Sequence, residues 1–481
     1  ISGGKNQVNQ NPDYDKYPVL LVSPPLHDFY FTPARIEPLG LLYLAEALRR
    51  EGFEKVDVLD AASAGKTKRM ARPPEMDYLS AYYHEDESCF SLLQNWQRRG
   101  ISDTAIVRAI KEGEYRLVGI SAMFSAYVPD LAQLVRRIRQ ECEGVFLVAG
   151  GWAVEAEPRR TLEELAVDAV IIGSAESSLP LLARSLCSGR ATGIDIPGVM
   201  MRGAAGSPAR GNDAIPEWFP RRDLQQRYFF QGLRSAKVIM SRGCPYRCGF
   251  CAVGSTFPFS ERSLDSIGAE LGYLFDSGVR LVDIEDDNLF HERYRAHELL
   301  QILQRFHRRG MQFAAMNGIN ASHLRGLVDE CIEAGFIEFN LSMVSASSTA
   351  TKAAGRPFEP AIVREVINEI GGRARTLVFL IGGLPGTTVD GTVDAICEMA
   401  ALPLTIGFSP LYVLPETRLA EQVCCPQQRR LARGSALHVF PEGFSRESVA
   451  SLWKLVRMIN AIKEKPLAAT DSDREYFAMS V

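Results

Sequence analysis

Twice along this chain short apolar runs alternate with stretches of helical periodicity, and no other feature narrows the fold so far. In the first series, residues 18–23, 56–59, 117–121, 145–149 and 169–172 read as buried strands, with amphipathic helices at 39–52 and 130–142. Parallel strands need a crossover and the helices supply it, so this order predicts an α/β domain with a doubly wound, flavodoxin-like sheet. The second series places strands at 236–240, 279–284, 312–315, 336–343, 376–381 and 405–410. Six strands with helices between them predict a partial (βα)6 barrel, whose chemistry belongs at the carboxyl ends of its strands.

The expected organisation follows. Residues 1–16 are a polar, disordered tail and 17–190 the doubly wound domain. A Gly-, Pro- and Arg-rich linker covers 191–234, the barrel 235–420, and a mostly helical carboxyl-terminal segment 421–481. An insertion at 61–113, rich in charge and aromatics, is expected to be helical and to shape a binding site, since loops of that size are usually functional. The net charge of −4 over 481 residues gives no electrostatic reason to expect a nucleic-acid partner. No run approaches the ~18–20 apolar residues of a membrane span. The opening 15 residues lack the apolar core of a signal peptide. The expected compartment is the cytoplasm.

Of ten cysteines, three cluster: Cys244-Pro-Tyr-Arg-Cys248-Gly-Phe-Cys251, directly after the first strand of the second series. Three thiolates on one loop can ligate three irons of a [4Fe–4S] cubane and leave the fourth open for a substrate. Zinc and ferredoxin-type clusters are the alternatives. Each wants a fourth ligand, and the loop has neither another cysteine nor a histidine beside it. The other cysteines read as buried thiols, with the adjacent pair Cys424-Cys425 left open.

Cys-x3-Cys-x2-Cys after a first barrel strand resembles the radical S-adenosylmethionine (radical SAM) superfamily. The resemblance extends to Asp286-Asp287-Asn288 after the second strand, Leu384-Pro-Gly-Thr-Thr388 after the fifth, and Ser409 to Thr417 after the sixth. It implies that Cys244, Cys248 and Cys251 hold the cluster. It places Phe250, Asp286, Asn288, Gly382, Gly383 and Pro385 near S-adenosylmethionine. Related barrels often carry a glutamate before the serine of strand four, where Val344 stands here, so Asn317, Asn340 and Ser342 are the candidates for the remaining contacts. Tyr412, Tyr246 and Asp287 are candidates for the substrate cavity, Tyr412 and Asp287 as catalytic groups.

The first series lacks a Gly-x-Gly-x-x-Gly turn, which argues against a dinucleotide. Set before such a barrel, it resembles the cobalamin-binding domain of cobalamin-dependent radical SAM enzymes. The residues concerned are Ser23-Pro24-Pro25, Leu39-Gly40, Ser121 with Met123 and Phe124, Gly150-Gly151-Trp152, and Gly173-Ser174-Ala-Glu176. None of the seven histidines fits the Asp-x-His-x-x-Gly cobalt-ligand motif, and Met123 or Phe124 is expected to cover the lower face of the corrin. A relic domain that no longer binds cobalamin is the alternative.

The resemblance implies a methyltransferase. It would move a methyl group from methylcobalamin to an unactivated carbon after hydrogen abstraction by the 5′-deoxyadenosyl radical, with an external electron donor such as flavodoxin or ferredoxin. Oxidation, cyclisation or ring contraction without methyl transfer is one alternative, and a non-catalytic cobalamin-binding or electron-relay protein another. The substrate, whether small molecule or peptide, is not legible.

Overall fold

The computed structural model describes residues 14–31, 37–83, 93, 95–189, 195–203, 209–210, 213–222, 228–356, 359–415, 417–423 and 427–463. In chain order the first nine strands are β1 Val19–Ser23, β2 Leu26–Asp28, β3 Val56–Asp60, β4 Thr67–Arg69, β5 Gln97–Arg99, β6 Leu117–Ser121, β7 Phe146–Gly150, β8 Ala169–Ile171 and β9 Val199–Met201. The main sheet runs β3-β1-β6-β7-β8-β9. All its neighbours are parallel except β9, which pairs antiparallel with β8. Counting the parallel strands alone, the order is 2-1-3-4-5, the flavodoxin-like arrangement whose ligand crevice opens beyond the carboxyl edge where the order reverses. The strands are apolar throughout because helices cover both faces. Leu20, Val22, Val118 and Ile120 face one helical layer, and Val19, Leu21 and Leu117 the other.

The remaining strands are β10 Tyr228–Phe230, β11 Leu233–Val238, β12 Ser241–Arg242, β13 Ser260–Glu261, β14 Leu281–Ile284, β15 Gln312–Ala314, β16 Phe336–Val344, β17 Arg375–Gly382 and β18 Thr405–Pro410. They form a seven-stranded sheet, β10-β11-β14-β15-β16-β17-β18, parallel from β11 onward and not closed on itself. All six expected barrel strands are present. At the open edge, Asn460 of the helix Arg446–Lys463 pairs with β18 like a missing strand. Its Oδ1 accepts from Ile406 N (3.0 Å) and its Nδ2 donates to Ile406 O (2.8 Å).

Several expectations change. Residues 1–13 lie outside the described residues, but Tyr14–Lys16 forms a turn whose Tyr14 packs on Phe53, so the end of the expected tail belongs to the fold. The stretch read as linker contributes β9 and β10, strands too short for an apolar pattern to reveal. The insertion is helical at Pro74–Leu79, Ser80–Tyr83 and Asp103–Glu112, as expected, but it also carries strands. Its β4 and β5 join β2 in an antiparallel sheet, and Met76, Leu79 and Trp96 enter the apolar core that covers the barrel sheet. Residues 84–92 of the insertion lie outside the described residues. Cys142 and Cys331 are buried as expected, but Cys397 is exposed and Cys187 half-buried, while Cys424 and Cys425 lie outside the described residues.

Two charged networks lock the halves together. In one, the buried Glu37 accepts from the backbone N of Lys237 and from Arg222, which also pairs with Glu270, itself paired with the fully buried Arg262. In the other, Arg429, Arg430 and Arg433, on the strap between β18 and the last helix, are buried against the first domain. Arg430 pairs with Asp130 and Glu75. Arg433 donates to Asp28 Oδ2 (3.0 Å), His27 O and Ala126 O while stacking near Trp96 and Tyr127.

Candidate active site between the two sheets

Past the end of β11 the chain turns through β12 into the cysteine loop, and three backbone positions before Cys244 are pinned by the acidic pair after β14. Asp286 accepts from Met240 N (2.7 Å) and Ser241 Oγ (2.6 Å), and Asp287 from Gly243 N (2.9 Å). Burial pushes the Asp286 carboxyl up to about 7, opposed by those same donors. Sequence reasoning placed Asp286 at S-adenosylmethionine and Asp287 at the substrate. Both brace the cluster loop: the two oxygens of Asp286 are taken up by the chain itself, and one oxygen of Asp287 holds Gly243 N.

The loop is packed as tightly as a chain without side chains allows. Gly243 has φ +81°, and a Cβ there would lie 2.5 Å from Pro258 O. A Cβ on Gly254 would lie 1.7 Å from Tyr246 O. Gly249 N donates to Ala354 O and Leu419 N to Gly249 O, tying the loop to the ends of two further barrel elements. Tyr246 turns its hydroxyl to His323 Nε2 (3.1 Å). Phe250 packs with Ile381 and with the clusters of Leu411 and Leu384 at the ends of β17 and β18.

Cys248 is buried, with Cys244 and Cys251 half-buried and all three within electrostatic reach of one another. Burial raises each thiol, Cys244 to about 11, and Arg356 beside Cys248 opposes the rise there. Arg356 also donates to Ser342 O (3.0 Å). Nothing in the sequence announces this arginine more than a hundred residues downstream of the loop. Among the described residues no three His, Cys, Asp or Glu side chains converge as around one metal ion. A cubane asks for a wider cradle, because each thiolate binds a different iron. The residues present therefore fit a cluster with one open iron.

Asn288 and Asn340 are buried, and among the described residues Asn288 Nδ2 and Asn340 Oδ1 have no hydrogen-bond partner. Asn317 donates to Asp286 O, Ser342 lies near the turn at Gly318, and Pro385 sits half-buried in the turn after β17. Gly382 serves packing rather than approach to a cofactor, for a Cβ there would strike the Phe408 ring at 2.1 Å. Gly383, with φ +90°, makes the turn out of β17. Tyr412, 39% exposed just past β18, lies near Tyr30 of the first domain.

At the carboxyl edge of the first sheet, Ser23, Pro24, Pro25, Ser121, Gly150, Gly151, Trp152 and Gly173 end or follow their strands as predicted. Leu39 and Gly40 open the helix Leu39–Arg50, and no atom lies within 4 Å of a Cβ on Gly40. Met123 and Phe124 are 43% and 50% exposed, an apolar surface suited to cover by a flat ring. Ser174 and Glu176 are engaged elsewhere. Both accept from Arg242, two residues before Cys244, with Ser174 Oγ at 2.7 Å. Trp152 meets Phe257 edge-on at 5.4 Å. The loops of the first sheet therefore abut the cysteine loop itself.

Comparison with known proteins agrees with this geometry. Residues 32–183 match the B12 binding domain and 238–398 the radical SAM superfamily. The chain is 27% identical over 258 residues to hopanoid C-3 methylase of Methylococcus capsulatus, covering 52% of this chain and 42% of that protein. It is 24% identical over 376 residues to cytidylyl-2-hydroxyethylphosphonate methyltransferase of Streptomyces wedmorensis, covering 69% and 66%. It thus spans under half of the first relative and about two thirds of the second. Among solved structures, the radical SAM methyltransferase TsrM from Kitasatospora setae, with cobalamin and a [4Fe–4S] cluster bound, superposes with TM-score 0.69 at 19% identity, covering 91% of this chain and 90% of that one. The cobalamin-dependent radical enzyme OxsB gives 0.60 at 14% identity, covering 97% and 64%. With both domains matched in tandem on these two sheets, the chain belongs to the cobalamin-dependent radical SAM enzymes, whose cofactors are a [4Fe–4S] cluster, S-adenosylmethionine and cobalamin.

Proposed function

We propose that this enzyme is a C-methyltransferase acting on an unactivated carbon. The observation that carries the reading is the contact of Arg242 with Ser174 and Glu176, which sets the cobalamin-side loops against the cluster loop, as a substrate shared by two cofactors requires. Bound together, the cluster and S-adenosylmethionine supply one-electron hydrogen abstraction, and cobalamin supplies the methyl group. The chain's part is placement and exclusion of water. Asp286 and Asp287 hold the loop, Asn288 and Asn340 would offer amide atoms to S-adenosylmethionine, and Met123 with Phe124 would shield the corrin. Tyr412, which lies near Tyr30 of the first domain, is the candidate for contact with substrate. The methyltransferase names of the two relatives support methyl transfer. The fold shared with OxsB supports the second reading, a radical conversion without it.

The test is anaerobic purification after growth with hydroxocobalamin, followed by incubation with trideuteromethyl S-adenosylmethionine and a small-molecule extract. About four irons and one corrin per chain, with S-adenosylhomocysteine and a product carrying the labelled methyl, are expected. Deoxyadenosine formation with products that never acquire the label would overturn methyl transfer and leave the second reading.

A further inference from the structure

We propose that His323 is a positioning residue for the iron–sulfur cluster: through the Tyr246 hydroxyl it holds the middle of the cysteine loop, and so sets the potential at which the cluster takes up its electron. The inference rests on the cluster reading of the three cysteines and is independent of methyl transfer.

The two flanks of the loop are held through their backbone. Asp287 accepts from Gly243 N just ahead of Cys244, and Gly249 N donates to Ala354 O just behind Cys248. Of the three residues between these ligands, Pro245 and Arg247 are exposed and only Tyr246 is half-buried. Its ring is seated among rings from three separate loops. It meets His291, after β14, edge-on at 5.7 Å and His323, after β15, tilted at 6.1 Å. His291 in turn meets Phe259 edge-on at 5.2 Å and His323 at 5.5 Å. Within this nest the Tyr246 hydroxyl lies 3.1 Å from His323 Nε2.

The direction of that bond follows from the other side of the imidazole. His323 Nδ1 lies 3.1 Å from Leu289 O, and a carbonyl only accepts, so Nδ1 carries the proton. Burial lowers the pKa of the ring and keeps it neutral, which leaves Nε2 to accept from the Tyr246 hydroxyl. His323 is itself fixed on the short helix Ala321–Leu324, where Asn320 Oδ1 caps Ser322 N at 3.1 Å. Leu289 follows directly on Asp286-Asp287-Asn288. One stretch of chain after β14 therefore grips the loop twice, at its start through two carboxylates and at its middle through His323. What is gripped matters to the cluster. The Tyr246 backbone N–H donates to the Cys244 sulfur, and a donor to a ligand sulfur favours the reduced, more negative state. Without His323 the Tyr246 side chain is released, its N–H loosens with it, and the reduced state loses support.

The test is a redox titration of the full chain after anaerobic reconstitution, with dithionite and mediators, the reduced cluster being counted by electron paramagnetic resonance. One electron passes from the SO2 radical anion of dithionite, which is oxidised to sulfite, to the cluster, which is reduced, and no bond in the protein forms or breaks. At the wild-type midpoint, Tyr246→Phe, which removes one oxygen and keeps the ring, should cut the ratio of reduced to oxidised cluster about three- to tenfold, tenfold being ~59 mV for one electron. His323→Leu should do the same. The double variant should shift no further than either single, because both break one bond. His323→Gln, whose amide oxygen can accept from the hydroxyl, should recover most of the wild-type ratio. His297→Leu, on the helix Arg293–His307 and paired with Glu330, should change nothing. A wild-type midpoint in Tyr246→Phe with iron and sulfide intact overturns the proposal. So does a double variant whose shift is the sum of the singles, and so does lowered iron at an unchanged midpoint in His323→Leu, which would make the histidine packing alone. The titration needs no S-adenosylmethionine, corrin or substrate, so a failure of methyl transfer leaves it untouched and the two readings fail separately.

Discussion

Gly254→Ala is the most incisive single perturbation of the cluster loop, because it adds one carbon and no charge. The carbon would stand 1.7 Å from the Tyr246 carbonyl oxygen and 2.8 Å from its carbon, where contacts under 3.0 Å are essentially never seen. At least 1.3 Å must therefore open between two backbones, and neither is free to give. Tyr246 lies between Cys244 and Cys248, whose flanks are held by Asp287 at Gly243 and by Ala354 and Leu419 at Gly249. Overpacking of this kind costs about 1–3 kcal/mol. Here the cost falls on ligand geometry, since a displaced Tyr246 carries two cysteines with it. The same substitution at Gly268, in the helix Leu264–Asp276 with no atom within 4 Å of its added carbon, should stabilise by about 0.5–1 kcal/mol from helix propensity. The assay is iron and sulfide content after anaerobic reconstitution, with thermal unfolding of the apo-protein alongside. Gly254→Ala is expected to retain less than half the wild-type iron and to melt earlier, and Gly268→Ala to keep its iron and melt slightly later. Full iron with a wild-type spectrum in Gly254→Ala would refute the tight-loop reasoning.

Cys248→Ala should abolish the iron signal and deoxyadenosine formation while corrin binding persists; retained cleavage of S-adenosylmethionine sinks the cluster assignment. Glu37→Ala leaves the buried Arg222 with Glu270 as its remaining carboxylate and the Lys237 amide without its acceptor at the junction of the two halves, and a buried donor left unsatisfied costs about 1–3 kcal/mol. A denaturation midpoint within experimental error of wild type would show the junction to be wet. Arg433→Lys keeps the charge but loses the planar fork that reaches Asp28, His27 O and Ala126 O at once. Corrin retention on gel filtration should fall several-fold, because Ala126 belongs to the turn that follows Met123 and Phe124, and unchanged retention would separate the strap from the cobalamin loop.

What the sequence yielded and what it withheld divide along physical lines. Buried parallel strands advertise themselves, since a strand covered on both faces must be apolar at every position. All eleven expected strands stand in the two sheets, and the cysteine loop follows its strand as its spacing implied. The short strands β4, β5, β9 and β10 were invisible because three residues cannot display a period. Roles were harder to read than places. Asp286-Asp287 sits where predicted, yet both oxygens of Asp286 and Oδ2 of Asp287 accept from Met240, Ser241 and Gly243 of the loop. Gly382 is a glycine for the sake of Phe408 on the neighbouring strand. In both cases the partner lies some 26 to 46 residues away in sequence and one strand away in space, a relation carried by register and not by pattern. Arg242, Arg356 and Arg433 were missed for the same reason. An arginine on its own is ordinary surface composition, and only the fold brings one to a thiol, one to the opposing domain's loop and one beneath the cobalamin-side turn. The active site of this enzyme is thus held less by the residues that touch its cofactors than by cations and carboxylates that fix two separately legible sheets edge to edge.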